Sequence, residues 1–168
     1  MFVGLYHHSH YGDIFSLSVN DLVAFTAPEF HATLAVSFFV DFTHRVLLEG
    51  FDLSSSFKSM LVACSQSILA RHTNIVHIHL DNGAIASAKE YIFAHTKWRP
   101  WGYHLPPACD ECSSPQSWAD PIKSRSTLVF NCRRQGCRGT CSFDKPQGFE
   151  PFSNEVSGGR WMIRNYGI

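Results

Sequence analysis

Five of the six cysteines in this chain fall between positions 109 and 141, as Cys109-Asp-Glu-Cys112, Cys132-Arg-Arg-Gln-Gly-Cys137 and then Cys141. Two close pairs separated by a strand-and-turn-length spacer are the pattern of a zinc site. Zinc takes four tetrahedral ligands, and a CxxC knuckle delivers two thiolates from one tight turn. The spacing assigns Cys109, Cys112, Cys132 and Cys137 as ligands, the second pair making the looser knuckle. Spacing also admits a set that uses Cys137 with Cys141, or that exchanges Cys132. Four thiolates close the coordination shell, so such an ion would hold the fold and offer no open position to a substrate. The competing reading is a disulfide framework or inert thiols. A disulfide framework needs an oxidising compartment.

Charge adds a second feature. The chain is balanced overall. Acidic residues outnumber Lys and Arg up to His95, and the balance reverses from Lys97 onward. Arg133, Arg134 and Arg138 sit in or beside the second knuckle, where they either shield the thiolates or touch nucleic acid. Trp118 and Trp161 are the candidate stacking residues. His7, His8 and His10 crowd the first turn, but their spacing matches no specific site and reads as a solvated loop. A cysteine peptidase would pair Cys64 with one of them. Cys64, however, falls on the apolar face of a helical pattern, where thiols are inert.

These residues need elements to position them. Phe2–Tyr6 and the run around Leu22-Val23-Ala24-Phe25 read as strands. Pro28 and Glu29 then suit a helix start. Phe30, Leu34, Phe38, Phe42 and Val46 recur every four residues, with Ala35 and Phe39 beside them, and Thr33, Ser37, Asp41 and Arg45 form a polar stripe. That is an amphipathic helix closed by Gly50. Ser54 is a candidate cap for a second helix carrying Phe57, Met60, Leu61, Cys64 and Ile68. Val76, Ile78 and Leu80 alternate with His77 and His79, which predicts a strand with its histidines on the wetter face. Asp81-Asn82-Gly83 favours a hairpin into Ala84–His95.

Trp98–Pro107 is too apolar for a free linker and predicts a connector that docks a metal module on the rest. Leu128-Val129-Phe130 leads into the second knuckle. Phe143 and Phe149 are candidates to close a small sheet, and Trp161-Met162-Ile163 to end it. The expected organisation is an α/β region over 1–96, the connector over 97–107 and a zinc-binding β module over 108–168. No apolar run is long enough to cross a bilayer, because Asp41 interrupts the longest. Met1–Leu5 is too short for a secretory signal. The expectation is an intracellular protein, cytoplasmic or nuclear, without a membrane segment.

The cysteine region resembles a zinc ribbon, with knuckle, hairpin and second knuckle; the wide second pair and Cys141 depart from that pattern. Leu22–Pro28, the helix ending Leu47-Leu48-Glu49-Gly50 and the helix over Ser54–Ile68 resemble the C-terminal half of CHAT domains, which are caspase-like α/β folds. The resemblance implies a strand-helix-helix-strand layer packed on the metal module. It also implies an inactive relative, because the family's His and Cys dyad would lie upstream of Leu22 and no cysteine precedes Cys64. Together with Trp98-Arg99-Pro100-Trp101-Gly102 ahead of the CxxC, the arrangement is similar to fungal proteins with a C-terminal zinc-binding module. The function expected is a non-enzymatic zinc-binding interaction or scaffold protein with a protein partner. A nucleic-acid-binding ribbon is the alternative, followed by the inactive peptidase relative.

Overall fold

The computed structural model describes residues 2–8, 17–27, 30–64, 68–81 and 84–167. Over these residues the protein is a mixed α/β structure with two antiparallel sheets and a few helices. Strand β1 (Phe2–His8) runs past the expected Tyr6 and takes in His7 and His8, while His10 lies outside the described residues. Strand β2 (Leu17–Phe25) pairs with it. The helix start expected at Pro28 and Glu29 is also outside the described residues. The helix itself is a continuous run of tight, regular and wide turns: a 3-10 turn at Ala32–Ala35, α1 (Val36–Phe42) and π turns over Thr43–Leu48. A four-residue repeat drifts across an α-helix of about 3.6 residues per turn. The wider i→i+5 turns correct that drift. They keep Val46 packed on the core behind buried Phe38 and Phe42. Gly50 ends the run in the left-handed region, at φ 72°.

Helix α2 (Leu53–Ala63) is capped by Asp52, not Ser54: the Asp52 carboxylate accepts the Ser55 amide at 2.8 Å. Phe57, Met60 and Leu61 are buried from its inner face, with Cys64 just past its end. Ile68 is not part of that stripe. It starts a separate short helix, α3 (Ile68–His72), and is exposed. Strands β3 (Ile75–Asp81) and β4 (Ala84–His95) form the expected hairpin. Helices α1 to α3 cover one face of the sheet. There Phe25, Phe38, Phe57, Tyr91, Phe93 and Trp161 meet in one cluster of aromatic edges and faces.

After β4 the chain crosses to the other face. Trp98 stacks on His95 at 4.1 Å, on the helix side. Arg99 is fully buried; its guanidinium donates to the Ala70 and Thr73 carbonyls at the end of α3, and to Asn74. Carbonyls at a helix end have no partner within the helix, so this cation satisfies groups that burial would otherwise leave unpaired. Trp101 then adopts a left-handed backbone at φ 51°, a costly conformation for a bulky residue. Its ring packs against Ile92, Ala94, Met162 and Phe149 on one side and against the cysteine module on the other.

The module contains strands β5 (Ile122–Lys123), β6 (Thr127–Asn131) and β7 (Thr140–Asp144) in one small sheet. It does not extend to the end of the chain as expected. Strand β9 (Gly159–Tyr166), which holds Trp161-Met162-Ile163, belongs to the large sheet, pairing with β4 and with the short β8 (Glu150–Pro151). The large-sheet order is β1-β2-β3-β4-β9-β8. Phe149 likewise packs on that sheet, and only Phe143 packs within the module. Buried Trp161 and Met162 explain the difference: alternate residues of β9 face opposite sides of the sheet, and both sides are covered.

Candidate metal centre

The Sγ atoms of Cys109, Cys112, Cys132 and Cys137 all lie within 4.8 Å of one another. Cys109 and Cys137 are 3.7 Å apart, as are Cys112 and Cys132. A tetrahedron with Zn–S bonds of about 2.3 Å has S···S edges of about 3.8 Å. A disulfide would need about 2.05 Å, and none of the six cysteines is in a disulfide. The four sulfurs can therefore hold one metal ion. Cys141 is outside this set; it sits on β7 opposite Phe130 and packs against the small core.

Backbone turns aim the sulfurs. In the first knuckle the Ser113 amide donates to the Cys109 carbonyl at 2.7 Å, and the Cys109 amide to the Ser114 carbonyl at 3.0 Å. In the second, the Arg134 amide reaches the Cys132 sulfur at 3.5 Å and the Gly139 amide the Cys137 sulfur at 3.3 Å. The four residues between Cys132 and Cys137 are taken up by a turn with Gly136 at φ 77°. Gly139 is the tightest point: a Cβ there would stand 2.4 Å from the Cys109 sulfur. The loop passes the sulfurs at a distance only glycine allows.

Four thiols this close cannot all ionise without a cation. The Ser114 backbone hydrogen bond favours the Cys112 thiolate and brings its pKa down to about 7. At Cys137 the Gly139 amide pulls the same way, but burial and the three other sulfurs outweigh it and push the thiol up to about 12. A dication removes that conflict, because metal binding displaces the protons. The donor set and the N–H···S bonds thus fit a soft, thiolate-bound ion.

Arg133, Arg134 and Arg138 are all exposed. Arg134 donates to the Cys112 carbonyl at 3.2 Å, which ties the two knuckles together. Both tryptophans proposed for stacking are unavailable. Trp118 is 9% exposed and Trp161 0%, and the Trp118 indole donates to the Pro106 carbonyl at 2.8 Å.

A second polar constellation escaped the sequence reading. Asp21 lies between two imidazoles, with His77 Nε2 at 2.7 Å and His79 Nδ1 at 3.0 Å from the same carboxylate oxygen. His77 is 1% exposed and stacks on Phe57 at 4.7 Å, so it faces the core and not the wetter side. Burial works to raise the Asp21 pKa, but the hydrogen bonds from His77 and His79 bring it below the ordinary carboxylate value. The available signal was Asp21 at the spacing of Val23 and Phe25, on one strand face. Cys64 offers no nucleophile. It is 1% exposed, lies 3.7 Å from the Ser37 hydroxyl, and burial raises its thiol pKa.

No protein-family model matches the chain, nor does any curated protein or solved structure. Among the described residues no helix is long and apolar enough to cross a membrane.

Proposed function

We propose that the chain is a non-enzymatic interaction or scaffold protein whose zinc-ribbon-like module is held by one structural zinc ion on Cys109, Cys112, Cys132 and Cys137. The observation that carries this reading is the mutual approach of the four sulfurs within 4.8 Å. With four thiolates bound, the ion has no open position, so it braces the loops and performs no chemistry. The surface it braces, exposed arginines beside a docked sheet, is what a partner would meet. Elemental analysis of the purified chain tests the ion: about one zinc per chain is expected, with loss of module order on strong chelation. Protein without zinc that keeps the module ordered in chelator overturns the reading.

The exposure of Arg133, Arg134 and Arg138 supports a second reading, contact with nucleic-acid phosphates. With Trp118 and Trp161 buried, such binding would rest on charge alone and fall steeply with salt. Absence of any salt-sensitive shift with DNA or RNA removes it.

A further inference from the structure

A cleft of about 190 Å³ runs between the large sheet and the module. Its inner wall is apolar, from buried Ala94 and Leu128 and the ring of Trp101. Its outer part is cationic. Lys123 and Arg125 reach it from β5 and the turn that follows, and half-buried Arg160 from β9. Among the described residues none of these three cations has an ion pair or a side-chain hydrogen bond. Among the described residues the one acid lining the cleft is Glu155. His95 also lines it but is already engaged: its Nε2 donates to the Ser157 carbonyl at 2.9 Å, and its Nδ1 accepts the Lys97 amide at 3.0 Å. A cleft with three unpaired cations at its mouth and a single carboxylate is short of acceptor oxygens.

We propose that this cleft binds a small anion with a flat apolar body, an aryl or heteroaryl phosphate or carboxylate. Its oxygens face Lys123, Arg125 and Arg160, and its ring lies against Ala94, Trp101 and Leu128. The size fits: the cleft has room for roughly six waters, enough for one ring and one oxyanion and too little for a folded segment. Removing a partner from a charge-assisted hydrogen bond weakens such a complex by about tenfold or more. Because Lys123, Arg125 and Leu128 come from the module, the site requires the module to be folded, and to that extent it rests on the proposed ion.

The test uses the full chain as purified, with its metal content measured first. Phenyl phosphate, benzoate, inorganic phosphate and a single-stranded oligonucleotide are titrated separately while the indole N–H resonance of Trp101, assigned with Trp101→Phe, is followed. The expected result is a saturable shift with phenyl phosphate or benzoate, weaker with inorganic phosphate. Arg160→Ala should weaken it about tenfold. The exposed-site variant Lys123→Ala/Arg125→Ala, which leaves β9 untouched, should weaken it similarly. Lys145→Ala, outside the cleft, should leave it unchanged. Absence of a saturable shift with both aryl anions, binding in both cleft variants as tight as in the unsubstituted chain, or a response to the oligonucleotide alone would overturn the proposal. Metal-free protein that still binds phenyl phosphate would sink the zinc reading and leave this one standing.

Discussion

The large sheet and the cysteine module solve the same problem by different means. On the helix-covered face of the sheet, Phe38, Phe57, Met60, Leu61, Ile75, Tyr91 and Trp161 are buried almost completely, in one continuous cluster. The module's own buried set, among the described residues, is Cys109, Trp118, Leu128 and Phe130. So small a core does not offset the entropy of ordering its loops. Where the sheet region relies on apolar area, the module relies on four sulfurs gathered round one point. Two regions of one chain are thus expected to answer to different perturbations.

The sharpest way to break that comparison is to take the proposed ion away. Cys109→Ser, or strong chelation, should disorder the module while β2, β3 and β4 keep their hydrogen-exchange protection. Structural zinc sites contribute on the order of 10 kcal/mol to the folding of the modules they hold. If protection were lost equally across both sheets, the division would be wrong. The reverse experiment is Phe57→Ala, which deletes contacts with Phe38, His77 and Tyr91. It should cost about 3–5 kcal/mol in denaturant unfolding of the sheet and leave zinc content unchanged.

A smaller effect sharpens the module side. Gly139→Ala places a methyl group against the Cys109 sulfur and should cost about 1–3 kcal/mol by overpacking, read as faster zinc release to a chelator. A control substitution at Gly136, where a Cβ would meet nothing within 4 Å, should cost only its left-handed backbone.

The smallest effect is acidity. Burial first, then the Arg71 and Lys97 charges, hold the His95 pKa below its ordinary 6.5. The unfolded chain therefore takes up a proton that the folded protein resists, and stability should decline as pH falls through that value. Asp21 acts lower down. Its depressed pKa gives stability that is complete above the ordinary 3.8 and is lost as pH falls through the folded value. Unfolding midpoints measured against pH should show both stages, and His95→Gln should flatten only the upper one.

The cysteine pairing, the β3–β4 hairpin and the amphipathic helix could be read from residue spacing because each is a local pattern. The phase of β3 could not. Val76, Ile78 and Leu80 look like a core face, yet Ile75 and His77 turned out to be the deeper residues, because Asp21, on the neighbouring strand but 56 residues earlier in sequence, offsets the polar cost of burying His77. The place of Trp161-Met162-Ile163 was hidden for a similar reason: its partner, β4, lies more than sixty residues back, and no local signal names a pairing partner. Asp52 and Ser54 are both good caps by type, and only the geometry chooses between them. Trp101 shows a mixed case. Its apolar neighbours announced a docked connector, but its left-handed backbone left no mark in the sequence.

Strands β4 and β9 are adjacent, and the whole cysteine module is strung between them. The module is therefore an excursion from the sheet and not a tail. A protease that cuts one of its loops severs the polypeptide but not the hydrogen-bonded ladder, so the two pieces should travel together on a sizing column and part only in denaturant.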